Sequence, residues 1–227
     1  MEQTQRRNFL KQVATGAAMI GTGLVAGSFQ PTMAAGFPGA DAIEADEWFN
    51  KVNGKHRIVF DVTEPHGLFP FAWPRVFLVT NQKTGTAEKD CSVVVILRHA
   101  AIPFALHSAA WEKYKLGEMF KIEDPKTKAP ALRNPFWEPA QGDFKLPGLG
   151  AVPIGINELQ ASGVMFGVCD MAMTVYSAAA AEAMKMDAAE VKKDWVSNLL
   201  PSIQPMPSGV WAVSRAQEHG CSYCFVG

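Results

Sequence analysis

Residues 92–97 read Ser92-Val93-Val94-Val95-Ile96-Leu97, six positions without a charge and five of them large and apolar. A strand with one wet face alternates apolar and polar residues. A run that is apolar at both parities has to be covered on both faces, as a central strand of a parallel sheet is. The flanking segments agree. Arg57–Thr63 (RIVFDVT) reads as a strand and runs into the loop signal Glu64-Pro65-His66-Gly67. Further strands are expected at 164–168, 202–206 and 221–226. Helices are expected between them: Trp73 to Thr80 with Pro74 in the first turn, Pro103 to Phe120, Ile156 to Ala161, and Asp170 to Met184 or Met186. Asp187 is placed to cap Ala188–Ser197, with Glu190 at the third helical position, and Pro207-Ser208-Gly209 opens a last helix from Val210 to His219 that Gly220 ends. Strand and helix alternate to the end of the chain. The expected class is α/β, a three-layer α/β/α sandwich around a mainly parallel five-stranded sheet.

One segment breaks this rhythm. Between Pro125 and Gly150 there are eight prolines or glycines, together with Phe136, Trp137 and Phe144. A linker would lack such anchors, so 121–153 reads as a long aromatic loop. A lid, an intersubunit contact, or a surface excursion held down by its aromatics all fit.

The N-terminus carries Arg6-Arg7-Asn8-Phe9-Leu10-Lys11, followed by a weakly apolar run from Val13 to Ala26 and small residues at Ala34-Ala35. This is the anatomy of a twin-arginine signal peptide, expected over 1–35. It implies use of the twin-arginine export machinery and a periplasmic destination for a protein that crosses already folded. Gly16, Gly21 and Gly23 argue against a stable amphipathic helix there. Leu24-Val25-Ala26-Gly27 resembles a lipobox, but Ser28 stands where the lipidated cysteine must be. Residues 36–56 read as a lead-in, acidic from Asp41 to Glu47, and 57–227 as one domain.

Composition narrows the partners. Of 21 basic and 22 acidic residues, Arg6, Arg7, Lys11 and Glu2 fall in the leader, leaving 18 and 21 and a net charge of −3. With no basic block, nucleic acid and anionic membrane are poor partners. No later run approaches ~18 apolar residues, so the mature chain is expected not to insert stably into a bilayer. Walker A, Gly-x-Gly-x-x-Gly and Gly-x-Ser-x-Gly are absent. No cofactor is assigned.

In an open parallel sheet, sites gather at the carboxyl ends of the strands. Glu64 and His66, Arg98 and His99, Cys169, and Ser208 all fall there. Cys169 sits at a strand-to-helix junction, where amide N–H groups and the helix dipole favour a thiolate, which is both nucleophile and metal ligand. Asp170 opposes this by its adjacent charge, though it can also serve as the N-cap. A small buried hydrophobe is the other reading of Cys169. His99 is a candidate base or metal ligand, with Arg98 beside it to favour an anion; His66 has a weaker claim. His107 and His219 read as structural. Four cysteines, Cys91, Cys169, Cys221 and Cys224, allow three disulfide pairings. Within an extended strand, however, Cys221 and Cys224 would face opposite sides about 10 Å apart. No His follows Cys224 and no second Cys pair has zinc-finger spacing. Persulfide carriage, a metal site shared with another cysteine, or two partly buried thiols remain.

Leu159-Gln160-Ala161-Ser162-Gly163-Val164, leading through Val168-Cys169, resembles the DsrE/DsrF-like family around its sulfur-handling cysteine. Pro207-Ser208-Gly209-Val210, with Gln217, Gly220 and Tyr223, resembles that family's C-terminal signature. The resemblance covers 57–227 and implies a compact α/β domain with a five-stranded sheet, assembled as a homo-oligomer, a trimer or hexamer. It implies a sulfane-sulfur relay through a cysteine persulfide, with Cys169 at the matching position. The chain departs from the family in its export signal, its long 121–153 segment and its extra Cys221 and Cys224. The expected function is sulfur relay or thiol redox chemistry through Cys169, supported by His99. The alternative is a non-catalytic metal- or small-ligand-binding module, or a subunit of an exported complex.

Overall fold

The computed structural model describes residues 41–146, 148 and 150–227. The expected export signal, 1–35, and the first part of the lead-in lie outside the described residues. Described chain begins with α1 (Ala42–Trp48), capped by Asp41, whose carboxylate accepts from Ile43 N at 2.8 Å. A short 3₁₀ turn, Phe49–Lys51, follows.

The sheet has five strands: β1 (His56–Val62), β2 (Cys91–Leu97), β5 (Met165–Cys169), β6 (Ile203–Met206) and β7 (Ser222–Val226). Their order is β6-β5-β2-β1-β7, and every pairing is parallel. β2 is the central strand, and all of Ser92–Leu97 is buried, as its two-sided apolar pattern requires. A minor antiparallel pair, β3 (Lys145–Leu146) and β4 (Gly150–Ala151), lies outside this sheet.

The connections explain the layers. From β1 to β2 to β5 to β6 the chain steps toward one edge. Its intervening helices are α2 (Phe69–Lys83), α3 (Ser108–Tyr114), α4 (Leu116–Met119), α5 (Ile156–Ala161), α6 (Asp170–Met184) and α7 (Ala188–Ser197). The return from β6 to β7, beyond β1, carries α8 (Gly209–Glu218) across β1, β2, β5 and β6. Right-handed crossovers put connections that run in opposite directions on opposite faces. The apolar contacts divide accordingly. Phe60, Val62, Val93, Val95, Leu97, Phe166 and Val168 join the large core with the helices of the first group. Val59, Val94, Ile96 and Met206 join Ala212 and Ala216 of α8 and Ala45, Trp48 and Phe49 of the N-terminal segment.

Two expected helices change on folding. The first begins at Phe69 rather than Trp73, with Pro70 in its first turn and Pro74 in its interior. The stretch expected to be helical from Pro103 to Phe120 is broken into a 3₁₀ segment, His99–Ala105, and the short α3 and α4. The cause is tertiary. Leu106 pairs with Leu199, His107 N donates to Asn198 O at 2.8 Å, and Lys115 takes a left-handed φ of 52°.

Within 121–153, Asn134, Phe136 and Phe144 pack down onto the core. Buried Asn134 donates to Phe104 O and Leu106 O at 2.9 and 3.0 Å and accepts from Phe136 N at 3.1 Å. Phe136 stacks on Phe144 with centroids 4.7 Å apart and planes at 5°, and also contacts Phe71 at 4.3 Å.

Candidate functional site

Cys169 is the last residue of β5 and the N-cap of α6. Its φ of −72° and ψ of 108° are the extended values a cap requires, and its Sγ accepts the Ala172 N–H at 3.3 Å. The capping role that Asp170 was expected to fill therefore belongs to Cys169. The thiol occupies the position where the unpaired amides of a fifteen-residue helix converge. The residue is 7% exposed, and its flank packs into the large core.

Asp170, one residue on, is 2% exposed and points away toward α7. Its carboxylate is ion-paired with Lys192, whose Nζ also donates to Asp170 O at 3.1 Å. The charge expected to oppose a thiolate at Cys169 is thus neutralised by a cation on the next helix.

A second charged group lies on the α8 side of the same edge. Asp61, two residues from Val59 on β1 and hence on the same face, is 2% exposed. Arg98, directly after β2, grips it with two parallel bonds, Nε to Oδ1 at 2.5 Å and Nη2 to Oδ2 at 2.9 Å. Tyr223 of β7 donates its hydroxyl to Oδ2 at 2.8 Å. The Arg98 guanidinium is held above its ordinary pKa chiefly by the bond to Asp61, with burial opposing; negative charge at Asp61, Tyr223 and Cys169 acts in the same direction as that bond. Burial, followed by the bond to Asp61, raises the Tyr223 phenol. Tyr223, near the start of β7, reaches up to the end of β1, so three strands are tied together through Asp61, and Arg98 Nη1 is left without a protein hydrogen-bond partner among the described residues.

Gly209 begins α8 directly over Arg98. A Cβ at this position would sit 2.5 Å from Arg98 Cβ and 2.7 Å from its Cδ, so only glycine lets the helix start there. Ser208 is the N-cap of α8, its Oγ accepting from Trp211 N at 3.2 Å. Its place near the site is real, and its hydroxyl is spent on the helix.

His99 is exposed and left-handed, with φ of 52°. Its ring meets Tyr176 edge-on at 5.8 Å, and both ring nitrogens lie 3.4 Å from the Tyr176 hydroxyl. The structure therefore joins His99 to α6 through Tyr176, and no hydrogen bond links it to Cys169 among the described residues. Burial, then the nearby Glu64 charge, raises the Tyr176 phenol. His66 is exposed and packs its ring on Phe69 at 5.4 Å, apart from the cysteine.

The other cysteines do not join Cys169. Val168 is level with Leu97, Val62 and Val226 across the sheet. Cys224 is therefore three residues lower than Cys169 and three strands away, which is ~10 Å along and ~14 Å across. Cys221 is lower still, and Cys91 lies at the opposite end of β2. Cys221 and Cys224 face opposite sides of β7, as their spacing predicted, with Cys221 in the smaller core and Cys224 against the larger. All four thiols are free. Among the described residues no three His, Cys, Asp or Glu side chains cluster to hold a metal.

Asp61 and Tyr223 were not selected as site residues from the sequence. The available signal was a lone carboxylate inside the otherwise apolar stretch Ile58–Val62, which has to be paired if buried. No family model and no curated protein matches the chain.

Proposed function

We propose that this chain is an exported DsrE-like protein whose Cys169 carries sulfane sulfur between a small donor and an acceptor thiol. The observation that carries the reading is the setting of Sγ: at the carboxyl end of a parallel strand, capping α6 at 3.3 Å from Ala172 N, on the same sheet edge as the Arg98–Asp61 pair. Helix amides stabilise negative sulfur, and a guanidinium attracts an anionic donor. In the first step the Cys169 thiolate attacks the outer sulfur of a persulfide or of thiosulfate. An S–S bond forms to Cys169, the donor's own S–S bond breaks, and the donor leaves with the electron pair as a thiolate or sulfite. An acceptor thiolate then attacks the outer sulfur and Cys169 departs as thiolate, with no net oxidation. Arg98, rather than His99, is the cation suited to the anionic donor, because its Nη1 has no partner among the described residues.

The near-complete burial of Cys169 restricts the donor to a slender terminus. Export by the twin-arginine route, supported by Arg6-Arg7, gives the protein a periplasmic setting. No helix among the described residues is long and apolar enough to cross a membrane. Homo-oligomer formation is part of the proposal; the edge strand β7, with Tyr223 48% and Phe225 51% exposed, offers an apolar surface for it.

The test is loading with thiosulfate, followed by cyanolysis of bound sulfane sulfur. Wild type and a Cys91→Ser/Cys221→Ser/Cys224→Ser variant should each release about one equivalent. Cys169→Ser should release none. Equal release from Cys169→Ser, or none from wild type with any persulfide donor, rejects the proposal.

A further inference from the structure

We propose that the excursion following Phe120 builds a binding pocket for an aromatic monocarboxylate, separate from Cys169. A cavity of about 360 Å³ opens between the loop after β1 and this segment. Phe136 and Phe144 line its floor with Phe104 fully buried behind them, and the exposed Lys121, Lys128 and Glu123 stand at its mouth. The volume lies in the range of small-molecule sites, and an apolar floor with a few polar groups is their usual composition.

The pocket is preorganised. The stacked Phe136–Phe144 pair and the three bonds of Asn134 fix the floor. The two arms of the segment are tied by Lys126 and Asp143 at 2.7 Å. Asp124 Oδ1 accepts from Lys126 N and Thr127 N, both at 2.9 Å, and sets the turn that presents Lys128. The two lysines at the mouth have left-handed backbones, with φ of 55° at Lys121 and 60° at Lys128. Neither forms an ion pair among the described residues.

Among the residues that line the cavity, two ammoniums against the carboxylate of Glu123 leave a net single positive charge over an aromatic floor. A flat apolar body with one negative charge matches both features; a dianion would face Glu123 uncompensated, and a neutral ring would leave the lysines unused. Cys169 does not line this cavity, so the pocket stands whether or not Cys169 carries sulfur.

The experiment is calorimetric titration of the exported protein with 2-naphthoate at low salt, with neutral 2-naphthamide as the comparison. Saturable one-to-one binding is expected, about fivefold or more tighter for the acid than for the amide. Lys121→Gln/Lys128→Gln should weaken the acid by about fivefold and leave the amide unchanged, and Cys169→Ala should bind as wild type. Absence of saturation up to about 1 mM, equal affinity for acid and amide, or an unaltered acid affinity in the double variant overturns the proposal. The exposed lysines are not part of the core, and the acid-to-amide comparison needs no variant at all.

Discussion

Asp61 lies within an apolar strand, is 2% exposed, and has its carboxylate oxygens met by Arg98 and Tyr223. Removing one member of such a group strands the other in a poorly solvated place. Arg98 retains 26% of its side-chain exposure, which moderates the penalty. Asp61→Ala should therefore lower stability by about 2 kcal/mol in denaturant unfolding, and it should also reduce sulfur loading, because Arg98 loses its fixed position. A change below about 0.5 kcal/mol would mean the group is solvated. Cys221 gives a second residue-level expectation. Burial pushes its thiol up to about 11, from an ordinary value of 9.0. The unfolded chain thus loses this proton first as pH rises. The stability Cys221 contributes is intact below about pH 9 and is lost as pH climbs through about 11. Over that interval wild type should lose about 2 kcal/mol more than Cys221→Ala, measured by urea unfolding at each pH. Parallel curves for the two proteins would contradict the buried thiol.

One ion pair, Asp170 with Lys192, joins α6 to α7 at positions only 3% and 16% exposed, beside the apolar packing of the two helices. Asp170→Ala leaves the ammonium buried against helix backbone and should cost about 3 kcal/mol; Asp170→Ala/Lys192→Met should recover most of it. Thermal unfolding of the three proteins measures this, and a double variant no better than the single one would show that the pair matters for more than charge. Elements also divide what could be read in advance. α5, α6 and α7 have the bounds their capping residues and apolar spacing predict, because each is closed by a local signal. The segment from His99 to Met119 was not legible. Its apolar spacing suits a helix, and only the remote partners Leu199 and Asn198 hold Leu106 and His107 extended. Likewise, the choice between Cys169 and Asp170 as cap of α6 turned on Lys192, twenty-two residues away.

On the scale of the whole molecule, strand order decides which side chains meet. Cys169, Arg98 and Asp61 come from the carboxyl ends of three parallel strands brought to one edge, and Tyr223 reaches them from lower on a fourth. The sheet itself was legible from Ser92–Leu97 and its neighbours, since a strand buried on both faces leaves few architectures. Which polar groups would pair there was not, because parity along a strand says which face a residue takes but not which strand lies beside it. The same topology separates the four cysteines, sending Cys91 and Cys221 toward the far end and leaving Cys169 alone among the charged groups. The proposed sulfur relay requires that this one thiol hold the transferred sulfur. Peptide mass spectrometry of the folded protein after thiosulfate or polysulfide exposure reads this out. The peptide bearing Cys169 should gain about 32 Da, and a reductant should remove the gain. Gains confined to Cys91, Cys221 or Cys224, or no gain on Cys169 under any donor, would contradict it.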